Sequence, residues 1–128
     1  MIRLQLPLAP SVNRLWRSGS GGRVYRSKEY TSWLDEAGWM VRSQTRERII
    51  GPYILHIAAV KPNKRKRDLD NILKATSDLL EEMGVVESDS ECQALAAEWV
   101  DYGSPMTVTI FGTEEETGEW QNIRHLLN

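Results

Sequence analysis

Lys61-Pro62-Asn63-Lys64-Arg65-Lys66-Arg67-Asp68-Leu69-Asp70-Asn71-Ile72-Leu73-Lys74, KPNKRKRDLDNILK, joins two unlike periodicities. On its N-terminal side Tyr53, Leu55, Ile57 and Ala59 take every second position, the period of a β-strand. On its C-terminal side Leu69, Ile72, Leu73, Thr76, Leu79, Leu80 and Met83 fall on one helical face, and Gly84 follows as a stop. The segment is therefore a strand-to-helix joint. The helix it opens has an apolar face that a sheet or a second helix must cover.

Working outward, Ile2, Leu4, Leu6 and Leu8 alternate with Arg3, Gln5 and Pro7, which predicts a first strand closed by Pro7 and Pro10. Ser11–Arg26, rich in glycine and arginine, reads as a basic loop or a two-strand excursion. A helix is expected from about Lys28 to Glu47, with Ser27 as its cap and Tyr30, Trp33, Leu34, Ala37, Met40 and Val41 as its apolar face. Gly51-Pro52 is a turn. Beyond the second helix, the loop VVESDSE leads to a strand around Gln93–Tyr102, a Gly103-Ser104-Pro105 turn and a last strand, Met106–Phe111. No repeat or low-complexity segment interrupts this order. It predicts an α+β fold: one small domain over 1–128, with two main helices packed on a mixed β-sheet. The core is expected at about 1–112, and 113–128 as an acidic tail ending in a short helix.

A chain of 128 residues, 41% hydrophobic and 27% charged, has the size and composition of one soluble globular domain. Its single cysteine, Cys92, excludes an intrachain disulfide and a cysteine-rich zinc site, and fits a reducing compartment. His56 and His125 lack any ligand spacing. The N-terminus has no unbroken apolar run of a secretion signal, and no run approaches a membrane span. The net charge of -2 conceals an asymmetry. Residues 1–74 carry 15 Lys and Arg against 6 Asp and Glu, whereas 75–128 carry 1 against 12. A basic half with a dense cluster points to a polyanionic partner, unless the halves interleave and merely solvate the surface.

Lys61, Lys64, Arg65, Lys66 and Arg67 repel one another unless an anion neutralises them, and phosphate suits such a row. Asp68 and Asp70 follow. Residues two apart point about 200° from each other on a helix but share a side of extended backbone. They converge on one ion if Asp68 stays in the extended joint. Such hard oxygen ligands suit Mg2+ or Mn2+. Helix capping by either aspartate is the competing reading. Lys74, four residues after Asp70, forms an ion pair of roughly 0.2–0.5 kcal/mol or contacts a phosphate and stabilises developing charge. The loop Glu87-Ser88-Asp89-Ser90-Glu91 can return a third carboxylate, with Glu87, Asp89 and Glu91 equivalent on pattern alone. Trp16 and Tyr25, set among Arg14, Arg17, Arg23 and Arg26, suit nucleic-acid contacts. Trp33, Trp39 and Trp99 read as packing residues, and Cys92 and His56 as structural ones.

KRKRDLDNILKATSDLL, followed by GVVESDSE, resembles the RusA-type Holliday-junction resolvases of bacteria and phages. LPLAPSVNRLWR is similar to that family's opening turn, and the likeness runs from the first strand to about Tyr102. The resemblance implies a small α+β homodimer in which each subunit carries an acidic Mg2+ site that nicks DNA at four-way junctions. It implies that Asp68, Asp70 and Asp89 hold metal and act in catalysis. Lys74 matches the family's essential lysine. Lys61, Lys64, Arg65, Lys66 and Arg67, together with Asn13, Arg14 and Arg17, are the implied DNA contacts. In one departure, Ser88 stands where the family commonly has an acid before Asp89. Partners are then branched DNA and a second copy of the chain, in a bacterial or phage-infected cytoplasm. The competing functions are a non-catalytic nucleic-acid-binding module and a nuclease for flaps or forks on the same scaffold.

Overall fold

The structure, a computed structural model, describes residues 1–113, so the expected short helix of the tail lies outside the described residues. In chain order the elements are β1 (Ile2–Leu6), β2 (Trp16–Ser18), β3 (Val24–Arg26), α1 (Lys28–Gln44), β4 (Tyr53–Val60), α2 (Leu73–Glu82), β5 (Cys92–Val100) and β6 (Met106–Gly112). Short 3-10 turns occupy Val12–Arg14, Ser20–Gly22, Leu69–Ile72 and Asp89–Glu91. The main sheet has the order β1-β6-β4-β5. β6 runs antiparallel to both β1 and β4, whereas β4 and β5 are parallel. This is the mixed sheet and α+β architecture that the sequence predicts. β2 and β3 pair as a separate antiparallel hairpin, so the two-strand excursion is the correct reading of 11–26.

The parallel pair positions the chemistry. Parallel strands need a crossover, and here it contains the basic joint, α2 and the Asp89 turn. Val60 lies beside Val100 and Tyr53 beside Cys92. The basic joint thus leaves one end of the parallel pair, and the chain returns to its opposite end after Asp89.

One sheet face is apolar throughout. Ile2, Leu4 and Leu6 of β1, Tyr53, Leu55, Ile57 and Ala59 of β4, and Met106, Val108 and Ile110 of β6 are all buried there. They share one core cluster with Tyr30, Trp33, Leu34, Ala37 and Val41 of α1 and Ala75, Leu79 and Leu80 of α2. Each large side chain buried this way contributes about 1.5–3 kcal/mol.

β1 ends at Leu6, as expected, because Pro7 has no N–H for the ladder, whereas two helix boundaries differ from expectation. α1 ends at Gln44 rather than Glu47. Thr45 is extended, and its hydroxyl accepts the Glu47 N–H at 3.0 Å, giving the backbone a partner outside the helix. The second helix opens as a 3-10 turn at Leu69 and becomes α-helical at Leu73. Its end is as expected: Gly84 has φ +71°, its N–H donates to Glu81 C=O, and the Val85 N–H donates to Leu80 C=O. This is a Schellman closure.

Trp39 is the packing residue that the sequence misplaces. It is 79% exposed, on the side of α1 opposite Ala37 and Val41. Trp33 is buried, and its Nε1 donates to Pro7 C=O at 3.1 Å, holding the end of β1 on α1. Gln44 accepts the Gln5 N–H at 2.7 Å and donates to Gln5 C=O at 2.8 Å, which satisfies backbone at the sheet's outer edge.

Candidate active site

The joint after β4 has the backbone that the aspartate spacing requires. Asp68 is extended, with φ -82° and ψ 125°, and its carbonyl accepts the Asn71 N–H at 3.1 Å to open the 3-10 turn. Among the described residues no side chain caps either this turn or α2, so a side-chain cap does not explain Asp68 or Asp70. Both carboxylates are exposed, and among the described residues neither has a hydrogen-bond or ion-pair partner. Lys64, Arg65, Lys66 and Arg67 are exposed and have no ion pair there either. Four cations and two carboxylates thus share 64–70 without neutralising one another. Lys61 is placed differently: its Nζ sits 5.7 Å from the centre of the Trp99 ring.

A cleft of about 560 Å³ opens between this joint and the turn after β1. Asn13 and Arg14 of that turn line it together with Arg65, Lys66, Arg67 and Asp68 of the joint, Asn71 and Glu29. Leu8, Pro10, Trp33, Ile72 and Trp99 supply apolar wall. Ser27 fixes the Arg14 side. It is buried, its Oγ donates to Arg14 C=O and accepts the Tyr30 N–H at 3.1 Å, and its own N–H donates to Leu15 C=O at 2.9 Å. The expected helix cap therefore also anchors the base of the β2–β3 hairpin. Arg17 is exposed on that hairpin and does not line the cleft.

Lys74 lies on the exposed side of α2. It does not pair with Asp70, the partner its spacing suggests. Its Nζ donates to Asp78 at 3.0 Å and lies 4.0 Å from an Asp89 oxygen. The hydrogen bond from Lys74 to Asp78 and the charge of that carboxylate, with Asp89 and Glu81 beyond, hold the ammonium above the usual lysine value. Asp78 also accepts the Tyr30 hydroxyl at 2.9 Å. Burial, and then that bond, push the Tyr30 phenol well above its ordinary value. Arg26 lies over the Tyr30 ring and pairs with Glu82, so the hairpin, α1 and α2 are tied together behind Lys74.

Asp89 returns to Lys74 because its turn is held against α2. Its N–H donates to Glu81 at 3.2 Å, and the Ser88 hydroxyl accepts the Ser90 N–H at 3.2 Å. Ser88 thus organises the turn. Glu87 points elsewhere, accepting the Gly51 N–H at 2.8 Å. Of the loop's acids, Asp89 is the one within 4.0 Å of Lys74.

The structure therefore brings Asp68 together with Asn13, Arg14 and Arg65–Arg67 around the cleft, and brings Lys74 together with Asp89. Asp70 stands exposed on the turn between these groups. Among the described residues, no three carboxylate, histidine or cysteine side chains are gathered tightly enough to hold a metal ion. The donor chemistry nevertheless suits a hard divalent cation: oxygen ligands throughout, with the Asp68 and Asp70 oxygens unengaged by protein. Sequence reasoning missed Asp78, Tyr30, Glu29 and Asn71. Asp78 carried a signal, four residues beyond Lys74; Tyr30 and Glu29 depend on how α1 packs.

Residues 6–110 match the family described as Endodeoxyribonuclease RusA. The chain is 38% identical over 87 residues to the crossover junction endodeoxyribonuclease RusA of Aquifex aeolicus, covering 67% of this chain and 68% of that protein. It is 34% identical over 88 residues to the enzyme of that name from Enterobacteria phage HK97, covering 67% and 72%. It is 30% identical over 89 residues to that of Escherichia coli K12, covering 69% and 73%. The matched span holds the opening turn, the basic joint, α2 and Asp89, and the chain accordingly belongs to the RusA family of endodeoxyribonucleases.

Proposed function

We propose that this chain is a Mg2+-dependent, structure-selective endonuclease that resolves four-way DNA junctions by paired nicks. The observation that carries the reading is the joint itself. Two aspartates and four cations without ion-pair partners among the described residues stand side by side, ahead of a helix whose Lys74 lies 4.0 Å from Asp89. Surface charges left unpaired this close together are suited to binding a polyanion and its counterion.

Asp68, Asp70 and Asp89 would hold the metal, with Mn2+ as the other cation their oxygens suit. When bound, Mg2+ supplies charge neutralisation, an activated water and stabilisation of the leaving oxygen. The chain's own groups do the rest. Arg65, Lys66 and Arg67 grip phosphates on one side of the cleft, and Arg14 with Asn13 on the other. Asp78 holds the Lys74 ammonium beside Asp89, where it offsets charge that builds on the phosphate during cleavage. A four-way junction has approximate twofold symmetry. A C2 homodimer, which we include in the proposal, presents two sites related by the same symmetry. Recognition by shape and phosphate contact follows, with the enzyme working in the cytoplasm of a bacterium or a phage-infected cell. No helix among the described residues is long and apolar enough to cross a membrane.

The test is cleavage of a synthetic four-way junction, a flap, a fork and a linear duplex with Mg2+. The junction is expected to be cut fastest. Faster cutting of flaps or forks would replace the junction reading with the fork-nuclease one, and intact substrates throughout would favour a binding module.

A further inference from the structure

Their setting among arginines suits Trp16 and Arg26 to nucleic acid, but the fold turns this pair toward α1. The two residues are cross-strand partners at the base of the β2–β3 hairpin, and both lie on Tyr30. The Trp16 ring meets the Tyr30 ring edge-on, with centroids 6.2 Å apart. The Arg26 guanidinium lies 5.4 Å from the centre of the same ring and pairs with Glu82 of α2. Its charge is thus already matched within the protein. The next rung differs. Arg17 and Tyr25 are partners on the opposite face of the hairpin, because side chains alternate along a strand. Both are exposed, and Arg17 has no ion pair among the described residues.

We propose that Tyr30, clasped by Trp16 and Arg26, is a positioning residue for Lys74. It acts through Asp78 and sets the rate of strand cutting, while the Arg17 face of the hairpin serves DNA binding. The inference rests on the nuclease reading above. The Asp78 carboxylate divides its two oxygens between two elements. Oδ2 accepts the Tyr30 hydroxyl at 2.9 Å, and Oδ1 accepts Lys74 Nζ at 3.0 Å. The last torsion of an aspartate is broad, so a carboxylate swings unless one oxygen is held. Tyr30 has no exposed surface and holds it. Lys74 needs such an anchor, because its stem is flexible and its side chain is 51% exposed. The position of Oδ1 therefore decides where the ammonium stands relative to Asp89, 4.0 Å away. The Trp16–Arg26 rung restrains the Tyr30 ring in turn. The Arg26–Glu82 pair ties that rung to α2 one helical turn beyond Asp78. The base of the hairpin is thus built to fix a group near the scissile phosphate rather than to touch DNA.

Positioning and DNA contact predict opposite outcomes for Tyr30→Phe and Arg26→Gln. The first keeps the ring and removes its hydrogen bond; the second removes the charge over the ring at a surface site, and so tests the same point if Tyr30→Phe loses structure. Each variant is expected to keep the wild-type circular dichroism. Single-turnover cutting of a saturated four-way junction in Mg2+ should slow about fivefold, of the order that one lost hydrogen bond is worth. The junction dissociation constant should change less than about twofold, whereas Arg17→Gln should weaken binding by about fivefold. In an Asp78→Asn background Tyr30→Phe should slow cutting no further, because both act through one carboxylate. Weaker binding at an unchanged cutting rate would overturn the proposal. So would a full further loss in the Asp78→Asn background, the additive behaviour of a merely structural contact. A second arm needs no cutting. With carbon-13 at the lysine ε position, and the Lys74 signal assigned from Lys74→Arg, Lys74 should be less mobile in wild type than Lys64 and Lys66. In Tyr30→Phe and Arg26→Gln it should approach them. Equal mobility of Lys74 in wild type and both variants overturns the proposal. A protein that shows the change in mobility but cuts no junction would count against the nuclease reading alone.

Discussion

Lys74 illustrates how one side chain's role depends on which neighbour the fold supplies. Counting backward four residues gives Asp70, and counting forward four gives Asp78; the structure chooses Asp78. The reason is local. Asp70 lies in the 3-10 turn, where the helical four-residue spacing does not yet hold, whereas Asp78 is a full α-helical turn beyond Lys74. Asp78 is also fixed from behind by Tyr30. Asp78→Asn should therefore leave junction affinity nearly unchanged and slow single-turnover cleavage by about 10-fold or more, since the ammonium loses its charged anchor. Tyr30→Phe should cost about 1 kcal/mol in denaturant unfolding, the ordinary worth of a lost hydrogen bond. Asp68, Asp70 and Asp89 could be singled out from residue pattern and resemblance. Asp78 could have been, from its place four residues beyond Lys74, whereas its Tyr30 contact and the place of Glu29 on the cleft wall depend on how α1 packs.

At the scale of elements, alternation and helical spacing placed the four strands of the main sheet and both α-helices, but not the β2–β3 hairpin. The apolar faces they mark are the ones that are buried. Periodicity was weakest where side chains compete with the backbone. Thr45 turned the chain out of α1 early, and the 3-10 turn at Leu69 delayed α2. Trp39 shows the opposite error, since a large aromatic was assigned to the core by type although its helical phase puts it outside. The stop at Gly84 was legible because φ near +71° strongly favours glycine. Gly84→Ala should destabilise the fold by about 1 kcal/mol, read as a lower denaturant midpoint with unchanged slope.

For the molecule as a whole, the basic and acidic halves meet at α2, where Arg26 pairs with Glu82 and Lys74 with Asp78 and Asp89, while Lys64 to Arg67 have no ion pair among the described residues. The basic joint leaves the sheet at the Val60–Val100 end of the parallel pair, while Asp78 and Glu81 lie on α2 and Asp89 on the turn after it, on the way to the opposite end. Junction affinity should fall steeply with salt. Replacing both Lys64 and Lys66 by alanine should reduce the slope of log affinity against log salt by about 1.8, roughly 0.9 for each phosphate that no longer meets a lysine. The weakening should be similar across junction sequences, because these groups touch phosphate rather than bases. The measurement that bears most directly on the central claim compares wild type with Asp70→Asn on a synthetic four-way junction in Mg2+. Both cutting and binding are followed. Wild type should nick opposite strands in pairs, and Asp70→Asn should bind with the same affinity but cut slower by on the order of 100-fold or more. Cutting by Asp70→Asn at the wild-type rate, or an intact junction with wild type, would contradict it.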